Sequence, residues 1–97
     1  ETHSHGDFVP FREIGSDGKL LTVGLWRCNQ LGDSPKYCSE LCDETFLILE
    51  GEANIRVLET VGVFRYSKGD LGSWSQGTKT IWHVVSPVKK FYVVAEP

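Results

Sequence analysis

The sequence predicts an all-β domain, an antiparallel barrel or sandwich, and three observations carry that expectation. Short apolar-rich runs recur along the chain, separated by turns that contain glycine. Within several runs apolar and polar residues alternate, the pattern of a strand with one face buried. No segment keeps the three-four apolar spacing of a helix between caps.

The elements follow in order. Residues 1–14 form an N-terminal lead-in, polar at its start. Its later part contains Phe8, Val9, Phe11 and Ile14 and is apolar enough to act as an edge strand, on its own barrel or exchanged with a second copy. Residues 20–28 read as a strand, with Leu21, Val23 and Leu25 on one face and Thr22, Gly24, Trp26 and Cys28 on the other. Residues 29–36 hold Gly, Asp, Ser and Pro and read as a loop. A second strand is expected over 37–49, a third over 53–59 and a fourth over 60–66. The turn at Ser67–Asp70 leads into a short strand over 71–74. Gln76-Gly77 turns into a strand over 80–86, Pro87 is read as an interruption, and residues 88–95 close the barrel.

A chain of 97 residues is one domain by length, with 40% apolar and 24% charged residues, the make-up of an ordinary soluble globule. Its net charge of −3 argues against a nucleic-acid partner, which needs a concentrated basic face. The pair Lys89-Lys90 is read as a solvated strand end. No apolar run approaches the ~20 residues of a membrane span, and the start lacks an apolar signal core. The chain has no methionine, so residue 1 is not a translation start. Three cysteines, Cys28, Cys38 and Cys42, make an odd count, which favours free thiols and a reducing, cytoplasmic setting. The Cys38-x3-Cys42 spacing lacks the further ligands of a zinc site. His3-Ser-His5 mimics a metal-ligand pair but lies in the lead-in, and His83 alternates with Trp82 onto the opposite, outer face.

Two motifs carry a resemblance. Glu44 lies seven residues before Gly51, and Gly69, Ser75-Gln76-Gly77 and Thr80 follow in order. This arrangement resembles the two motifs of the cupin superfamily, antiparallel jelly-roll barrels. Cys38 and Glu40 stand where a metal-binding cupin has its first two histidines, and Thr80 stands in the place of the later one. The stretches Gly24-Leu-Trp26-Arg-Cys28, Glu44-Thr-Phe46-Leu-Ile-Leu-Glu50-Gly51, Gly77-Thr78-Lys79-Thr-Ile-Trp82 and Pro87-Val88-Lys-Lys90-Phe91-Tyr92-Val93 are similar to small bacterial cupins of the ureidoglycine aminohydrolase-like and ethanolamine-utilisation-like kind. That similarity covers residues 15–95.

The resemblance implies a single cupin-type antiparallel jelly-roll domain over 1–97, with a site inside the barrel. Trp26, Cys38, Glu40, Glu44, Phe46, Thr80 and Trp82 are then the expected ligand-binding residues, with Glu44 as the candidate general base. Strand alternation places Cys38, Glu40, Cys42, Glu44 and Phe46 on one side. Carboxylates in an aromatic-walled cavity need a charge partner, which a divalent cation, a cationic ligand or Lys79 would supply. The alternative is that Glu40 and Glu44 lie solvated at the barrel mouth. Trp26, Trp74 and Trp82 fit core packing, and Trp82 also fits a ligand wall.

With the motif histidines replaced, no tightly held metal or other cofactor is expected; a divalent metal, if present, would use Cys38, Glu40 and Glu44. Three functions fit these residues: a metal-free small-molecule-binding cupin with a degenerate metal site, a metal-assisted enzyme acting on a small polar metabolite, for which the similarity suggests a nitrogen compound, and a structural role in a homodimer. A homodimer is expected in any of them, because small barrels leave strand edges open.

Overall fold

A computed structural model describes residues 6–60 and 62–97. His3 and His5 lie outside the described residues. The protein is all-β, and every strand pairing is antiparallel. The strands are β1 (Asp7–Ile14), β2 (Leu20–Cys28), β3 (Gly32–Asp33), β4 (Tyr37–Cys38), β5 (Asp43–Val57), β6 (Val63–Ser67), β7 (Leu71–Trp74) and β8 (Lys79–Ala95). None of the described residues forms a helix long and apolar enough to cross a membrane.

Two long strands organise the rest. β5 and β8 pair from Asp43–Ala95 to Val57–Thr80, and both change neighbours near their middle. The first half of β5 carries β7 on its other side, and the second half carries β6. The later half of β8 carries β2, with β1 beyond it, while its earlier half carries β3 and β4. One hydrogen-bonded system thereby supplies two facing layers, the jelly-roll solution to burying a sheet face.

The change of layer is written in the sequence at Gly51 and Pro87. The pairing slips between Ile48 and Ala53, a bulge in β5. The slip shows in the burial phase: Glu44, Phe46 and Ile48 are inward on one side of it, and Ala53, Ile55 and Val57 on the other. On β8 the inward set keeps one parity throughout, from Thr80, Trp82 and Val84 to Val88, Lys90 and Tyr92. Gly51 adopts φ +84°, and a Cβ there would collide with the carbonyl of Pro87. Two expected breaks are therefore absent. Residues 37–49 and 53–59 are not separate strands, because β5 runs through the bulge. Pro87 does not interrupt β8; its missing N–H falls between the last β2 partner, Val88, and the first β3 partner, Val84.

The lead-in forms β1, an edge strand laid antiparallel on β2 of the same chain. It contains Pro10, which has no N–H to offer, and Arg12 Nε donates to the Ile14 carbonyl at 3.0 Å. Phe8 meets the Tyr92 ring edge-on at 5.8 Å, but Val9, Phe11 and Ile14 are more than half exposed.

Gly51→Ala should destabilise the protein by about 2 kcal/mol or more, since alanine is strained at positive φ and meets backbone rather than a movable side chain. Urea unfolding measures this; a loss indistinguishable from zero would mean that the bend is not built on Gly51.

Candidate functional site

Inward-facing residues of β2, β5 and β8 build the barrel interior. Trp26, Cys28, Phe46, Ile48, Ala53, Ile55, Trp82, Val84, Val88 and Tyr92 form one buried cluster. Its centre is aromatic: the Trp82 ring lies 5.4 Å from Trp26 and 5.3 Å from Phe46, and Phe46 lies 5.3 Å from Tyr66 and 5.8 Å from Trp74. Gly72 lies opposite Phe46, and any side chain there would overlap the Phe46 ring.

Two charges are set into this apolar wall. Glu44 is 4% exposed and Lys90 7% exposed. The Lys90 ammonium donates to Glu44 Oε2 at 2.7 Å. It also lies 4.5 Å from the centre of the Trp82 ring, 5.1 Å from Trp26 and 5.2 Å from Phe46. The partner that Glu44 needs is thus Lys90. Lys79, one of the three partners expected, reaches Glu59 at 3.7 Å on the surface. Reading Lys89-Lys90 as a solvated pair fails for Lys90: only Lys89 points outward, 3.8 Å from Glu50. Parity carried the signal, because Lys90 falls in step with Val88 and Tyr92 on the inward face of β8.

The remaining expected site residues divide. Trp26, Phe46, Thr80 and Trp82 are buried with Glu44. Glu40 is exposed, because the chain bends at Glu40–Leu41 between β4 and β5 and breaks the alternation that would have carried it inward. Cys38 is half-buried and pairs with Lys79, so it shares that residue's outward face. Tyr37, opposite Thr80, takes the inward place instead. A bend that shifts the register by one residue exchanges the two faces. His83 is exposed and bonds Asp33 at 2.8 Å through Nδ1.

Glu44 also lines a shallow surface cleft, with no enclosed volume, together with Tyr37, Ser39, Cys42, Trp74, Ser75 and Thr78. The cleft is framed by the Asp43 carboxylate accepting from the Gln76 N–H at 2.8 Å and by the Gly77 N–H donating to the Ser39 carbonyl at 2.8 Å. Two buried polar atoms have no partner among the described residues: the Trp74 indole Nε1 and the Thr80 hydroxyl. Such groups cost free energy until something bonds them. Burial, with the Glu44 charge beside it, pushes the Tyr37 phenol well above its usual value. Burial, reinforced by Glu96 and Asp43, pushes the Cys42 thiol up as well, which keeps it protonated and a poor nucleophile.

A divalent metal does not fit this interior. No group of three or more His, Cys, Asp or Glu side chains gathers among the described residues. The one buried carboxylate among the described residues already holds an ammonium at 2.7 Å. Cys38 and Glu40, the other two candidate ligands, point elsewhere.

A bent antiparallel jelly roll with its inward residues in one buried cluster is the architecture of the cupin superfamily. The chain belongs to the EutQ-like cupin domain family, which it matches over residues 15–92. Among solved structures, the cupin domain of Cnp3 from Schizosaccharomyces pombe is similar at TM-score 0.80 and 16% identity, covering 100% of this chain and 65% of that one. A putative ethanolamine utilization protein Q from Salmonella typhimurium gives 0.74 at 18% identity, covering 92% and 68%. Ectoine synthase from P. lautus gives 0.81 at 13% identity, covering 100% and 68%. At these identities the likeness is one of fold. The chain spans 65% of the length of the first of them. Comparison with curated protein sequences gave no match.

The phenols of Tyr37, Tyr66 and Tyr92 are all raised, chiefly by burial. The folded protein keeps protons that the unfolded chain releases above about pH 10. Stability from these groups is therefore complete below that pH and is lost as the pH rises. Melting temperature should carry no tyrosine-linked fall up to about pH 10 and should fall above it, and Tyr37→Phe should make that fall shallower. An unchanged slope in that variant would mean that the Tyr37 phenol is not buried beside Glu44.

Proposed function

We propose that the protein is a small-molecule-binding cupin whose metal site has degenerated, and that its ligand is a small polar molecule seated in the cleft over Glu44. The observation that carries this reading is the Trp74 indole N–H, buried without a partner among the described residues, on a side chain that lines that cleft with the buried Glu44. A ligand with an acceptor atom satisfies the indole, and a donor on the same molecule meets the Glu44 carboxylate. Tyr37, Ser39 and Thr78 surround the pair with further hydroxyls. Sites of this kind use an apolar wall for area and a few fixed polar groups for orientation. Glu44 serves here as an anchor held by Lys90, and the cleft offers no activated thiol.

A panel of small polar metabolites tested by ligand-observed NMR should include binders whose signal weakens at least tenfold with Trp74→Phe, which keeps the ring and removes the N–H. A panel without binders, or binders indifferent to both Trp74→Phe and Glu44→Gln, would overturn the assignment of the cleft.

The proposed partner is a second copy of the chain, docked over β1. Val9, Phe11 and Ile14 stand exposed together on that edge strand, and Leu20 at the start of β2 adds to them. Light scattering at micromolar concentration should give twice the chain mass of 10.9 kDa. Val9→Asp with Phe11→Asp should halve it. A monomeric wild-type protein at that concentration would remove the dimer from the reading.

A further inference from the structure

We infer that the barrel interior is a binding site for a primary ammonium, and that the chain fills it with its own Lys90 side chain. The head group has the surroundings a recognised ammonium has: a carboxylate oxygen at 2.7 Å and three aromatic rings with centres at 4.5, 5.1 and 5.2 Å. Its side chain is 9% exposed and that of Glu44 4%, so neither charge is answered by bulk water. The rings also pack on one another independently of the lysine, at 5.3 and 5.4 Å. They come from three strands, β2, β5 and β8, whose pairing does not involve the lysine head group. The cage is thus part of the core, and the lysine is its occupant.

The shape selects the ligand class. One carboxylate oxygen and three ring faces suit a compact cation with a single charged end. A guanidinium needs a planar fork of acceptors, and a divalent metal needs several hard or imidazole ligands. The inference shares Glu44 with the cleft reading above but otherwise rests on Lys90 and the three rings, none of which except Glu44 lines the cleft, so a failure of propylammonium rescue and a failure of cleft binding are separate results.

Lys90→Ala removes the equivalent of n-propylammonium and leaves the cage walls in place. The variant should melt below wild type, and n-propylammonium chloride should raise its melting temperature in a saturating way. At a hundred times its Kd such a ligand gives a shift of roughly 10 °C for a chain of this size. Wild type and Lys90→Met, whose cages are full, should not respond. Propanol and tetramethylammonium should not substitute, and Glu44→Gln added to Lys90→Ala should abolish the effect. A folded Lys90→Ala protein whose melting temperature is flat against propylammonium would overturn the inference. Equal rescue by propanol would do so too, by showing that the site reads volume and not charge. Acetylation of wild-type protein gives a check that needs no variant: Lys90 should label at least tenfold more slowly than its neighbour Lys89. Equal labelling would place the ammonium outside the cage.

Discussion

Withdrawing a carboxylate and an ammonium from water into an aromatic interior costs several kcal/mol for each ion, and their attraction repays that only when the geometry is good. Glu44 and Lys90 meet the condition with a 2.7 Å contact, and the rings of Trp26, Phe46 and Trp82 add their negative faces to the lysine side. Much else in the barrel is arranged about that contact. Loss of either partner alone strands a buried charge, typically at about 3–5 kcal/mol, which is a large share of what a domain of this size has to spare. The pair therefore contributes little as a net source of stability and a great deal as a constraint. It fixes which way β5 and β8 present their faces, since a register slip of one residue would expel both charges.

The aromatic cage about the pair can close only because both long strands bend. Gly51 and Pro87 face one another where β5 bulges and β8 changes partners. On one side of the bend lie Glu44, Phe46 and Lys90, and on the other Ile55, Thr80 and Trp82. Folding the two halves into facing layers brings Trp82 over the ammonium. A straight pair of strands of the same sequence would keep these side chains apart. The outward charges show the same division of labour: Arg65 with Glu52 at 2.5 Å, and Lys89 with Glu50, lie on the solvent face and serve solubility more than stability.

Strand alternation and glycine turns made the all-β class readable, and the spacing from Glu44 to Gly51 with the later Trp82 made the barrel type and its inward residues readable. What escaped the reading did so for local reasons. The bend at Glu40–Leu41 has no glycine or proline to announce it, so alternation was carried through it and Cys38 and Glu40 were placed inside. Tyr37 was missed by the same one-residue error. Lys90 was missed because its composition spoke for solvent while its parity spoke for the core. Pro87 is ordinarily a strand breaker, and only the partner change in β8 explains why it is tolerated here. That Trp74 lines the cleft with Glu44 while its Nε1 has no partner among the described residues depends on three-dimensional packing that no spacing encodes.

The N-terminal edge strand has a bearing on how the molecule behaves when crowded. Its Pro10 cannot donate, and the Arg12 guanidinium already occupies the Ile14 carbonyl. The pairing of β1 with β2 is irregular on either side of Arg12. An edge interrupted in this way is a poor template for another strand to add to, and open-ended cross-β growth needs a flat, unbroken row of free donors and acceptors. The same segment leaves its apolar side chains outward. Any contact between copies would thereby be steered away from backbone pairing, which can continue without limit into fibres, and toward side-chain packing, which closes once two surfaces have met.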